Sequence, residues 1–344
     1  MRIEYDHDLS GANTFRMKVK CACYVEYESA AELEKLDFDA LPHPLMSLGG
    51  GSNLLFTKDF PGTVLHSRID FIKYVDMGFD EVPVMVGSGV CWDRFVQETC
   101  GHGLWGAENL SLIPGDAGAA AVQNIGAYGV EACDIVSGVV CYDLQERRKV
   151  KFSVSDCAYG YRESMFKNAG GRYIITSVLF RLSRKYSPRL DYKGVRAALG
   201  LAEGENPADL TPMVVRDAII GVRRAKLPDP EDIGSAGSFF KNPVVDALTF
   251  ARVIDVAKAG GRDVVPHYLL PGGMVKIPAA FLIDSSGFKN ASEGGAAVYD
   301  KQPLVIVNAS GSASPQDVMA LEARIIEGVR ARYGIELHPE VEHV

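Results

Sequence analysis

Apolar and polar positions alternate along KVKCACYVEY, residues 18–27, a period of two that predicts a strand with one buried face. Asn13, Thr14 and Phe15 open this first element. Behind Ser29, a residue suited to capping, AAELEKL predicts a short helix, and the apolar pair Leu45 and Met46 then leads into a glycine-rich turn and Leu-Leu-Phe. The result is a modest βαβ unit. From Thr63 the pattern becomes strand-rich, with VLHSRIDFIKYVD and VPVMVGSGV, then a helix over 92–100, then VSGVVCYDL, RKVKFSV and YIITSVLFRLS as further strands. Residues 185–215 are polar and contain Pro and Gly around LDYKGVRAAL; a domain boundary is placed near Gly221. Beyond it two helices are expected, over 245–257 and over 315–333. The second has Ser314 as cap, Pro315 in the first turn, Asp317 three after the cap and Gly334 as terminator, with Val318, Leu321, Ile325, Val329 and Tyr333 as its buried stripe. IELHPEV follows as a short strand interrupted by Pro339.

A chain of 344 residues exceeds one ordinary core, so two or three domains are expected. A content of 47% hydrophobic and 23% charged residues is that of a soluble globular protein, and the net charge of −8 argues against non-specific nucleic-acid or anionic-membrane binding. Seven scattered cysteines without C-x-x-C spacing argue against a disulfide frame and a structural zinc site, and the histidines show no ligand spacing. No apolar leader and no run of 18 apolar residues is present, so a cytoplasmic location is expected.

The chemistry concentrates in glycine-rich stretches. GAENLSLIPGDAGAAAVQNIGAYG, residues 106–129, lies inside a span from Phe95 to Glu146 that has no Lys or Arg. An anion held there must be met by backbone N–H groups and helix N-termini. LGGGSNLLF, residues 48–56, is a second such loop. Neither matches the Rossmann or P-loop patterns. Arg162 in YGYRESMFK is either a cation stacked on tyrosine and paired with Glu163, or a fork for a carboxylate. Ser238 in GSAGSFFKNP reads as a turn or cap residue, and no G-x-S-x-G elbow marks a hydrolase nucleophile. Lys226, with Arg223 and Arg224, forms a cationic patch suited to a diphosphate, and Glu340 lies in LHPEVEHV.

In order, LGGGSNLLF, IPGDAGAAAVQNIGAYG, YGYRESMFK, AKLPDP, GSAGSFFKNP, GGAAV and PEV resemble the UDP-N-acetylenolpyruvoylglucosamine reductase family over nearly the whole chain, and the insert around LDYKGVRAAL is similar to the tyrosine loop of its type I branch. The resemblance implies an α+β chain: a vanillyl-alcohol-oxidase-type FAD-binding fold in two parts, residues 1–66 joined by 333–344 and residues 67–220, with a third α/β substrate-binding lobe over 221–332. It implies non-covalent FAD at Gly49, Gly50, Gly51, Ser52, Asn53, Ile113, Pro114, Gly115, Gly118, Gln123, Asn124, Gly126, Ala127, Tyr128 and Ile174. Arg162, Ser238 and Glu340 fall on the family's catalytic positions, and Tyr192, Arg223, Lys226 and Asn242 on its nucleotide-sugar contacts. The implied reaction is NADPH-driven reduction of a UDP-sugar enolpyruvyl ether in peptidoglycan precursor synthesis, by a monomer without nucleic-acid, membrane or metal partners. An oxidase of the same fold acting on a small alcohol or amine, or a flavin binder without turnover, shares the glycine loops but not the trio Arg162, Ser238 and Glu340. The chain departs from the family pattern at Ala121, at Asp116, whose carboxylate approaches the implied pyrophosphate, and at Glu342.

Overall fold

The computed structural model describes residues 1–75, 78–192 and 194–344 and divides into two compact units. Lys193, in the LDYKGVRAAL insert, and Asp76, at the end of VLHSRIDFIKYVD, lie outside the described residues.

The first unit comprises Met1–His7, Cys21–Gly50 and Phe60–Ala225. One of its sheets has four strands in the order Arg2–Asp8, Lys20–Tyr27, Phe60–Ser67 and Leu45–Leu48. The last three run parallel, and the alternation read at 18–27 buries Cys21, Cys23, Val25 and Tyr27. Ser29 caps the short helix Ala30–Leu33 by accepting from the Glu32 N–H. A second, five-stranded antiparallel sheet runs Arg148–Ser153, Val136–Asp143, Tyr173–Ser183, Glu81–Gly87 and Ile72–Tyr74. Cys23, Val25 and Tyr27 of the first sheet share a core with Tyr142 and Ile174 of the second. The helices Trp92–Gly101 and Ala117–Gln123 cover the other face of that second sheet through Phe95, Ala117, Ala121, Val178 and Phe180.

The helix Pro212–Lys226 runs unbroken through Gly221, where sequence composition suggested a boundary; the compact units change over between Ala225 and Lys226. It is anchored by Arg216, whose Nη1 and Nη2 donate to the two carboxylate oxygens of Asp93 at 2.6 and 2.7 Å. The insert before it contains one helical turn, Val195–Ala198, and Val195 packs with Trp105, Leu190, Val215 and Ile219.

The second unit is assembled from Asp8–Lys20, Gly51–Asp59 and Lys226–Val344. Its main sheet runs Gly234–Ser238, Val305–Asn308, Ala296–Val298 and Ser292–Glu293. Both expected helices are present, as Ala247–Ala259 and Pro315–Tyr333. In the latter Ser314 and Asp317 close a reciprocal capping box, worth about 1 kcal/mol for the cap, and Gly334 ends it in the left-handed conformation. Its stripe Val318, Leu321, Ile325, Val329 and Tyr333 is buried.

Three details differ from the pattern reading. Residues 2–8 form an edge strand, which its mostly exposed, charged sequence conceals. Residues 13–15 are not part of a strand: Asn13 donates to the carbonyls of Leu9 and Met17 and accepts from the Met17 N–H, which folds them into a loop. IELHPEV forms only an isolated bridge, Pro339 to Phe240, and the strand pairing shifts to Glu342–His343, parallel to Leu54–Leu55.

Candidate functional site

In the first unit the two glycine loops meet backbone to backbone. A Cβ on Gly50 would lie 2.9 Å from the Cα of Gly115, a distance that excludes any side chain there. The residues before Gly115 are held by Asp93, which accepts from the Leu112 N–H while paired to Arg216. At the N-terminus of the following helix the N–H groups of Ala117 and Gly118 donate to the carbonyls of Val90 and Ser88, at 2.9 and 3.0 Å. Asp116 precedes that helix without capping it, and burial pushes its carboxyl up to about 6.

The adjacent amides Gln123 and Asn124 differ. Gln123 Oε1 accepts from Lys167 Nζ at 2.9 Å, and Nε2 is buried without a hydrogen-bond partner among the described residues. Asn124 is fully buried, with φ 45° at the end of the helix Ala117–Gln123. Its Nδ2 donates to Glu131 Oε2 at 2.8 Å and to the Gly160 carbonyl at 2.9 Å, and its Oδ1 accepts from the Cys133 N–H at 2.9 Å. Arg162, at φ 58°, lies over the Tyr161 ring and donates from Nη2 to the Gly126 carbonyl at 2.7 Å and from Nη1 to the Asn124 carbonyl at 3.4 Å. A Cβ on Gly126 would stand 2.8 Å from that Nη1.

Tyr128 and Tyr192 pack edge to face with ring centroids 5.5 Å apart. Asn109 donates to the carbonyls of Tyr128 and Arg189, at 2.9 and 2.8 Å, tying the glycine loop to the irregular segment leading into Tyr192. Arg223 also meets Tyr128; burial lowers the guanidinium from its usual range without discharging it, and its Nε is buried with no hydrogen-bond partner among the described residues. The Ile174 side chain is 1% exposed among Cys23, Val25 and Tyr142.

In the second unit Ser238 ends the strand Gly234–Ser238 opposite Val305, after Gly237 at φ 70°. The Glu340 N–H donates to the Phe239 carbonyl at 2.8 Å, and Asn53 Nδ2 donates to the Glu340 carbonyl at 3.1 Å. Asn53, expected among the cofactor residues, therefore also anchors the segment that carries Glu340. Asn242 Oδ1 accepts from the Ala279 N–H at 2.9 Å, capping the helix Ala279–Ser285. Lys226 is exposed. Gly49, Gly50, Ile113, Pro114, Gly115, Gly118, Gln123, Asn124, Gly126, Ala127, Tyr128, Arg162, Tyr192 and Arg223 thus belong to the first unit; Gly51, Ser52, Asn53, Lys226, Ser238, Asn242 and Glu340 belong to the second.

Sequence reasoning passed over Lys167, five residues after Arg162 in YGYRESMFK, and the Asp93–Arg216 pair. The first was legible as a cation beside a candidate fork. The second, separated by 123 residues, carried no local signal. No group of His, Cys, Asp and Glu that could hold a metal occurs among the described residues.

A family model described as "FAD binding domain" matches residues 21–145, and one described as "UDP-N-acetylenolpyruvoylglucosamine reductase, C-terminal domain" matches residues 229–344. The chain is similar to the UDP-N-acetylenolpyruvoylglucosamine reductase of Bacteroides fragilis, 43% identical over 99% of this chain and 100% of that protein. It is 45% identical to that of Burkholderia ambifaria over 97% and 95% of the two chains. The crystal structure of the Thermus caldophilus enzyme superposes with a TM-score of 0.69 at 24% identity, covering 100% of this chain and 99% of that one, a likeness of fold. The expected α+β fold with an FAD-binding portion is borne out. With 43–45% identity along practically its entire length, the chain belongs to the UDP-N-acetylenolpyruvoylglucosamine reductase family.

Proposed function

We propose that the chain catalyses the FAD-dependent reduction of UDP-N-acetylglucosamine enolpyruvate to UDP-N-acetylmuramate with NADPH, a step of peptidoglycan precursor synthesis. The observation that carries this reading is full-length identity to reductases of that name. The first unit's residues fit FAD: the loops at Gly50 and Gly115 leave no side chains between them, and Gln123 Nε2 is a buried donor with no partner among the described residues. Such a cation-poor seat suits a pyrophosphate met by N–H groups. Bound there, FAD supplies the two-electron chemistry that couples NADPH oxidation to reduction of the enolpyruvyl double bond.

Arg162 presents its guanidinium to the substrate carboxylate and stabilises the charge that gathers there as the double bond is reduced. Glu340 acts on the same enol-like arrangement, and the Ser238 hydroxyl gives its proton to the carbon next to the carboxylate. Lys226 and Arg223 balance the diphosphate, with Tyr192 and Asn242 holding the nucleotide. Residues 1–66, 333–344 and 67–220 serve FAD, and 221–332 serve the substrate. We place the enzyme in the cytoplasm as a monomer; no helix among the described residues is long and apolar enough to cross a membrane.

The visible spectrum of the purified protein tests this. The expected result is a non-covalent flavin bleached by NADPH without oxygen and recoloured by the enolpyruvyl nucleotide. A protein that takes up no FAD, or whose reduced flavin ignores that nucleotide, would overturn it.

A further inference from the structure

We infer that Asn124 is a positioning residue for Arg162 rather than a cofactor contact. The inference rests on the role proposed above for Arg162. An asparagine carries three hydrogen-bond donors, its backbone N–H and two on Nδ2. All three are engaged within the protein: the backbone N–H with Ala120, and Nδ2 with Glu131 and Gly160. The side-chain orientation is fixed by its neighbours, since a carboxylate and a carbonyl can only accept and the Cys133 N–H can only donate. No donor of Asn124 is left for a pyrophosphate. Gln123, one residue earlier, keeps its Nε2.

The bonds of Asn124 instead join two segments. Through Gly160 it grips the turn that carries Arg162, where Gly160 and Glu163 pair around it. Through its own carbonyl, and that of Gly126 two residues on, the loop receives the guanidinium. Glu131, whose Cγ also faces Gly126, and Cys133 hold the opposite side. Arg162 sits at φ 58°, a conformation an arginine keeps only when its surroundings impose it. The Asn124 amide is the bracket that imposes it.

Three variants and the two half-reactions test this, with flavin reduction by NADPH and reoxidation by the enolpyruvyl nucleotide followed separately by rapid-mixing absorbance. Asn124→Gly keeps the left-handed backbone and deletes the amide. Its FAD content and reduction rate should stay within about twofold of the parent, while reoxidation slows roughly 10–100-fold, within the range that misplacing a reacting group costs. In an Arg162→Ala background the same change should slow reoxidation no further. Asn124→Asp retains the acceptor for Cys133 but sets a carboxylate against Glu131, with Asp134 nearby on the Glu131 N–H. It should reoxidise faster as pH falls and the carboxyl pair takes up a proton, which restores one donor; the parent lacks that dependence. Loss of FAD affinity in Asn124→Gly, normal reoxidation, or further slowing in the Arg162→Ala background would each overturn the inference, as would loss of fold in both Asn124 variants. Normal reoxidation in Arg162→Ala alone would instead remove the role proposed for Arg162.

Discussion

Glu340 donates its backbone N–H to the carbonyl of Phe239 at 2.8 Å, so the carboxylate-bearing residue is bonded to the immediate neighbour of Ser238. If both act on one intermediate, their loss should look alike. Ser238→Ala and Glu340→Gln should keep FAD and accept electrons from NADPH at near-normal speed, yet reoxidise roughly 10²–10⁴-fold more slowly. Separate measurement of the two half-reactions checks this, and unimpaired reoxidation in Ser238→Ala removes it from the mechanism.

Asp116 should make FAD binding depend on pH. Burial raises its folded-state carboxyl to about 6, above the unfolded value, so ionising it disfavours the folded state and the cost is fully present above that pH. A negative charge at this loop also opposes the pyrophosphate. FAD affinity is expected to fall as pH rises through about 6, and Asp116→Asn should flatten the profile and bind FAD several-fold more tightly at pH 8. Flavin fluorescence titration reads both; an identical profile in the variant would place Asp116 away from the cofactor.

His343 contributes with the opposite sign. Its Nε2 lies 2.8 Å from Glu322 Oε2, and that hydrogen bond raises the imidazole above its ordinary value. The stabilisation is fully present below about pH 6.5, the unperturbed value, and is lost as pH rises through the raised one. Thermal denaturation from pH 6 to 9 should show a decline in Tm that His343→Gln lacks. Equal slopes in both proteins would contradict the pairing.

Arg216→Ala leaves Asp93 half-buried without its partner. A cost of about 3 kcal/mol is expected, at the low end for buried pairs because Asp93 keeps some solvent contact. Since Asp93 also holds the Leu112 N–H, the variant should lose FAD more readily as well. Urea denaturation and flavin retention on gel filtration check the two effects, and a change under 1 kcal/mol would show the pair to be incidental.

What could be read from sequence was whatever repeats locally. The cap, stripe and terminator of Pro315–Tyr333 depend on residues at most a few turns apart, and the strand at Lys20–Tyr27 on simple alternation. The glycine loops were visible because a Cβ on Gly50 would stand 2.9 Å from the Cα of Gly115, so the position calls for glycine. Bonds between distant residues left no such trace. Asn124 looks like a ligand residue in QNIGAYG, and only its partners Glu131, Cys133 and Gly160 reveal that its amide is engaged. The packing of the Ile174 side chain against Cys23, Val25 and Tyr142 likewise left no local trace.

The second unit draws on three stretches of chain, and its pairing of Leu54–Leu55 with Glu342–His343 has a consequence for biosynthesis. Asn53 meets Glu340 across 287 residues. A ribosome adding about 5–20 residues per second needs roughly 15–60 s to cover that interval. Throughout it the nascent segment around Gly51–Asp59 has no native partner strand, and the first unit is completed only as residue 225 is added. The early glycine loop therefore waits half-housed until the last residues of the chain are added.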